Sequence, residues 1–120
     1  MTEYAKLIIS EDYISVSFDA GNEDVQVIGS KMNKICDAAY MNGYNWDAFF
    51  NCYLGQNAPE ILDVIESDPE AEMYSVYIED INNETKALAE QLVEIIDDLL
   101  NDEEKILSFV KANVDDIEWD

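Results

Sequence analysis

The chain has 120 residues, 48% of them hydrophobic and 28% charged. That is enough for one domain with its own core, and too apolar for wholesale disorder. Six lysines stand against 28 acids, a net charge of −22, which excludes attraction to bare nucleic acid or an anionic membrane surface and favours basic proteins or cations as partners.

The acid is unevenly spread. Residues 1–60 carry nine acids and three lysines, a net −6, and residues 61–120 carry nineteen acids and three lysines, a net −16. A solvated acidic coat with no partner is the competing reading. No basic start followed by an apolar core and a small-residue cleavage site is present, and no apolar run reaches membrane-spanning length, so a cytoplasmic protein is expected. Cys36 and Cys52 show no C-x-x-C spacing and are expected as buried free thiols.

Ala5, Leu7 and Ile9 alternate with Tyr4, Lys6 and Ile8, and Ile14, Val16 and Phe18 alternate with Tyr13, Ser15 and Ser17. This period of two predicts a hairpin across Ser10-Glu11-Asp12, followed by a turn at Asp19-Ala20-Gly21-Asn22. From Val27 or Ile28, helical spacing takes in Met32, Ile35, Cys36, Ala39 and Tyr40, with Asn42-Gly43 as the stop. Asn45 is then expected to cap a helix whose apolar face is Trp46, Phe49, Phe50, Tyr53 and Leu54, with Asp47 in its first turn. Asn57-Ala58-Pro59-Glu60 is a further start signal, with Ile61, Leu62 and Ile65 behind it. Ser67-Asp68-Pro69-Glu70 reads as a single turn into a strand in which Tyr74, Val76 and Ile78 alternate with Met73, Ser75 and Tyr77. Leu88, Leu92, Ile95, Ile96 and Leu99 mark a long helix, and Asn101 with Glu104 a capping box before a last one through Ile106, Leu107, Phe109 and Val110.

The predicted fold class is α+β: residues 1–120 as one domain, with an antiparallel sheet of about three strands and helices packed on one face. The other face, with Tyr13, Ser15, Ser17, Ser75 and Tyr77, is left to solvent.

The chemistry on offer is narrow. Without histidine, Ser-His-Asp and Cys-His catalysis and the usual zinc sites have no ligands or bases. No phosphate-cradling glycine loop or EF-hand spacing occurs. No cofactor, metal or catalytic residue is therefore expected. Paired carboxylates could still run glycoside hydrolysis, given a cleft.

The positive signal is acid on the long helix. Glu90, Glu94, Asp97 and Asn101 fall opposite the apolar face, with Asp98 beside them. Glu90/Glu94 and Glu94/Asp98 are like-charge pairs four apart, each costing the helix roughly 0.2–0.5 kcal/mol. Such uncompensated charge predicts a docking surface for a basic partner, in competition with a solvated face. Asp102 and the tail Asp115, Asp116, Glu118 and Trp119 extend it, the tryptophan either as an interface anchor or folded back onto the domain.

Gly43-Tyr44-Asn45-Trp46, then Ala58-Pro59-Glu60, then Asp68-Pro69-Glu70-Ala71 with Met73 close behind, resemble in order and spacing the immunity protein 51 family of bacterial polymorphic toxin systems. The resemblance spans the middle of the chain, from the Asp19 turn to the strand ending near Ile78. Asn45 stands where Asp is at least as frequent in the family, and Tyr74 where Phe is common. The resemblance implies a small cytoplasmic protein that binds a cognate toxin domain and blocks it. Many such toxins are nucleases with basic clefts, which an acidic protein can occupy. On that reading Gly43, Asn45, Trp46, Pro59, Asp68 and Pro69 are scaffold and the acids carry specificity. The alternative is an acidic adaptor, or nucleic-acid mimic, for a basic housekeeping protein.

Overall fold

Alternation at the start of the chain folds as a hairpin. In a computed structural model that describes residues 2–120, β1 (Lys6–Ile9) and β2 (Ile14–Asp19) pair antiparallel. Ser10 Oγ closes the turn by accepting the N–H groups of Asp12 and Tyr13. Asp19 Oδ1 accepts the Gly21 N–H, and Asn22 caps α1 (Glu23–Ile35) through the N–H groups of Asp24 and Val25. The helix starts earlier than the apolar spacing suggests, because Asn22 supplies a cap ahead of two acids that suit a helix N-terminus.

It also ends earlier, at Ile35, and Tyr40 is 73% exposed. Asn42-Gly43 is a helix start rather than a stop. Asn42 caps α2 (Gly43–Asn57) by accepting the Asn45 N–H at 2.9 Å. Asn45, expected as that cap, is instead buried inside the first turn, where its Nδ2 donates to the carbonyls of Tyr40 at 2.7 Å and Ala38 at 3.4 Å. These bonds hold residues 38–40 outside the helix. Asn57 is the last residue of α2, and its Nδ2 donates to the Tyr53 carbonyl. α3 (Pro59–Leu62) follows with Pro59 at its first position and no side-chain cap.

Ser67-Asp68-Pro69-Glu70 is part of a second hairpin. β3 (Glu66–Ser67) pairs antiparallel with β4 (Met73–Ile78), and Glu70 and Met73 exchange backbone hydrogen bonds across the turn. The sheet has four strands in the order β1-β2-β4-β3. β3 is the strand missing from the sequence reading, since two residues cannot display a period. α4 (Asn83–Leu100) opens with a reciprocal capping box between Asn82 and Thr85. Asn101 closes α4, and Asp102, not Asn101, caps α5 (Glu103–Asn113) by accepting the Lys105 N–H.

Ile14, Val16 and Phe18 of β2 and Tyr74, Val76 and Ile78 of β4 are buried side by side. α2 packs on β4 and α4 on β1 and β2, while α1 and α5 pack on each other. Trp46, Phe49 and Phe50 enter the middle of this layer. Phe18 meets Trp46 edge-on with centroids 5.5 Å apart and stacks on Tyr74 at 5.1 Å, and Phe50 lies 5.0 Å from Tyr74. Burial holds the Tyr74 phenol far above its ordinary range, with the charge of Asp47 a lesser cause. The tryptophan ring is fully buried, and its Nε1 has no protein partner.

Trp46→Ala should lower the stability to urea unfolding by about 3–5 kcal/mol, the range for truncating a core aromatic. Trp46→Phe, which discards the unpartnered N–H along with one ring, should cost clearly less.

Candidate functional site

α4 presents its acids unevenly. Glu90, Glu94 and Asp98 are exposed and lie on one stripe, four residues apart. Neighbouring Cβ atoms of the stripe are about 5–6 Å apart, inside the roughly 8 Å screening length of physiological salt, while Glu90 and Asp98 are about 12 Å apart along the helix, so each carboxylate chiefly feels the next one. Lys86, one turn earlier, is the only lysine of this helix.

Asp97 shares the azimuth of that stripe but is not free. It is 7% exposed, and its Oδ1 accepts the N–H groups of both Tyr4 and Ala5 at 2.9 Å. Asn101 continues the grip: its side chain accepts from the Thr2 N–H and donates to the Thr2 carbonyl. The segment leading into β1 thus crosses the C-terminal end of α4 and satisfies these two polar side chains. The expectation that Asp97 belongs to a free docking stripe is corrected on this geometry. Helical spacing fixes azimuth but is silent about which remote segment will lie across it.

Asp102 is spent as the cap of α5, and Glu103 beside it pairs with Lys31 of α1 at 2.8 Å, the one ion pair among the described residues. Asp115, Asp116 and Glu118 are exposed. The tail itself folds back. Ile117 is buried, Trp119 is half-buried against the core, and the Asp120 N–H donates to Asn45 Oδ1 at 2.6 Å. Of the two roles open to Trp119, the folded-back one is therefore the one observed.

The returning tail walls a groove of about 440 Å³ against α2 and Pro69, lined by Tyr44, Asp47, Asn51, Asp116, Glu118 and Trp119 among others. Asp47 is its least visible member in the sequence. It sits beyond the first turn of α2, because that helix begins at Gly43, so the helix-terminus role predicted for it is lost. Burial raises its carboxyl above the ordinary value, opposed by hydrogen bonds from Ser67 and Asn51. Its Oδ1 and the Trp119 Nε1 are both buried without a protein partner. Cys52, another lining residue, is a half-buried free thiol pushed up by burial and by Asp116, which disfavours the reactive thiolate. Cys36 is likewise only half-buried. Among the described residues no group of three carboxylates or thiols is placed to hold a metal ion, and no helix is long and apolar enough to cross a membrane.

What this surface can do chemically is attract and hold cationic groups. Neither the α4 patch nor the tail offers a nucleophile with an adjacent base.

Asp97→Ala should release residues 2–5, with a loss of about 1.5–3 kcal/mol for bonds to a charged acceptor and faster hydrogen exchange at Tyr4 and Ala5. For Asp47 the sign runs the other way. Its folded pKa is raised, so the folded state holds this proton more tightly than the unfolded chain. Its contribution is favourable below the unfolded value of 3.8 and is lost as pH rises through the folded value. Asp47→Asn should therefore raise the urea midpoint at pH 7 relative to wild type and narrow that gain toward pH 3.

The family model for Immunity protein 51 matches residues 5–114. The match takes in α4 and α5, which the motif resemblance left outside, and stops short of residues 115–120. No curated protein and no solved structure matches the chain. Such proteins are immunity proteins of toxin systems. Matched over nearly its whole length, this chain belongs to the immunity protein 51 family.

Proposed function

We propose that this protein neutralises a cognate bacterial toxin domain by binding it, that it acts in the cytoplasm as one domain without catalysing a reaction, and that the toxin is a nuclease with a basic cleft. The observation that carries the basic partner is uncompensated charge. Among 28 acids, a single carboxylate is paired with a lysine in the described residues. A fold kept only in solution gains stability from interspersed lysines, whereas this one accepts like-charge neighbours at Glu90, Glu94 and Asp98.

On this reading the α4 patch, with Asp102, Asp115, Asp116 and Glu118, supplies a negative field. That field speeds encounter with a basic toxin and repels nucleic acid. Trp119 borders this field where the folded-back tail meets α2 beside Asp47. The motif residues Gly43, Asn45, Trp46, Pro59, Asp68 and Pro69 serve the scaffold.

Co-expression with the toxin domain encoded beside this gene tests the reading. The expected result is rescued growth and a one-to-one complex whose association slows steeply with salt. Glu90→Lys with Glu94→Lys and Asp98→Lys should slow association several-fold and flatten that salt dependence, with folding intact. No rescue and no complex would overturn the toxin reading in favour of an adaptor for a basic housekeeping protein.

A further inference from the structure

The sheet has a second face, and it is not acid alone. Its central row runs across all four strands as Ile8, Ser15, Tyr77 and Glu66, and the adjoining row as Lys6, Ser17 and Ser75. Between the two hairpins lies a shallow groove of about 470 Å³, lined by Asp12, Tyr13, Ser15, Asp68, Ser75, Tyr77 and Glu79. Every lining residue comes from a strand or a turn, and none from a helix. Tyr13 is 43% exposed, and Tyr77 and both serines are partly so. No lysine lines the groove.

We infer that this open sheet face is the contact epitope for the toxin, and that it receives a lysine or arginine side chain of the toxin against the two tyrosine rings, within the surrounding carboxylates. The inference rests on the toxin-binding reading above and names the surface and the chemistry that reading leaves open.

Three observations support it. Tyrosine and serine on a rigid sheet make an economical recognition surface. Tyrosine brings large contact area with few torsions to order, and serine brings adaptable hydrogen bonds. A cation over a tyrosine face gains from the ring quadrupole, and the gain grows once the pair is desolvated. Carboxylates gather around the same ring: Glu66 is the cross-strand partner of Tyr77, and Asp68 and Glu79 line the groove with it, Glu66 foremost in raising the phenol above its ordinary value. The α4 patch has acids but no aromatic group among its exposed residues, so it can steer a partner without anchoring one. A second copy of this chain is the wrong occupant, since it would set Asp12, Asp68 and Glu79 against their own equivalents.

The test is the kinetics of binding to the toxin domain encoded beside this gene. Tyr77→Ala should weaken affinity by about tenfold or more, mostly through faster dissociation. The α4 reversal should act mostly on association. Ser75→Lys places a cation in the groove without removing a ring and should weaken binding similarly, which covers the case in which Tyr77→Ala lowers stability. Wild-type affinity and dissociation rate in both sheet variants, with the wild-type chain binding the toxin, would overturn the epitope and leave the toxin reading standing. No binding by the wild-type chain would overturn both. A wild-type dimer that Tyr77→Ala dissolves would assign the face to a second copy and overturn the inference.

Discussion

The fold turns on how closely the first turn of α2 sits on the second hairpin. The Gly43 N–H donates to the Ala71 carbonyl at 2.9 Å, and a Cβ at position 43 would overlap the backbone carbonyls of Glu70 and Met73. Glycine is required there by proximity rather than by a left-handed backbone, since no residue in the described chain has a positive φ. This seat fixes the entry of α2, and with it the depth at which Trp46 and Phe50 reach Phe18, and Phe50 reaches Tyr74. Two of the short motifs that point to the family, Gly43-Tyr44-Asn45-Trp46 and Asp68-Pro69-Glu70-Ala71, are the two halves of this one contact. Asn45 then ties in two more segments, through the carbonyls of Ala38 and Tyr40 on one side and the Asp120 N–H on the other.

The acids divide by what their oxygens touch. Asp19, Asp97 and Asp102 accept backbone N–H groups, in a turn, under the start of β1 and at the start of α5. Asp24 accepts from the Tyr4 hydroxyl, which helps hold that phenol above its ordinary value after burial, and Glu103 pairs with Lys31. These carboxylates relieve backbone or charge needs that folding creates. Glu90, Glu94, Asp98, Asp115 and Glu118 accept no hydrogen bond from the described protein groups, and repulsion between neighbours among the first three is a cost to α4. A basic partner would remove it, so part of the affinity for such a partner would come from repulsion relieved rather than contacts made.

Elements with a long period were legible in the sequence, and their ends were not. The alternation of Ile14-Val16-Phe18 and Tyr74-Val76-Ile78 and the face Trp46-Phe49-Phe50-Tyr53-Leu54 all fold as read, because burial on one side is what the pattern encodes. Asn42-Gly43 reads as a helix stop and Asn101 as a helix start, and each serves the opposite end. Asparagine can accept from a first-turn N–H or sit at a C-terminus, and only the tertiary partners decide. Asp97 failed for a related reason. Its exposure depends on residues 2–5, more than ninety positions away, and no local spacing reports that. The groove under the tail was invisible because it needs the return of Trp119 to α2.

The same distinction bears on how recognition is divided over the surface. A charge patch on a helix is legible from spacing, since it needs only the helix's own geometry, but it acts at a distance and has little shape. The open face of the sheet owes its shape to pairing. Ser15 stands beside Tyr77 because β2 and β4 are in that register, and Glu66 stands across from Tyr77 because a two-residue strand adds to the far edge. A slip of one residue would exchange the faces, turning Tyr77 inward and Val76 outward, and would empty both the core and the groove. Core and epitope are thus two sides of one register, held by the six-residue pairing of β2 with β4. Glu90, Glu94 and Asp98 lie outside this pairing, so their charge adds nothing to the shape of the open face.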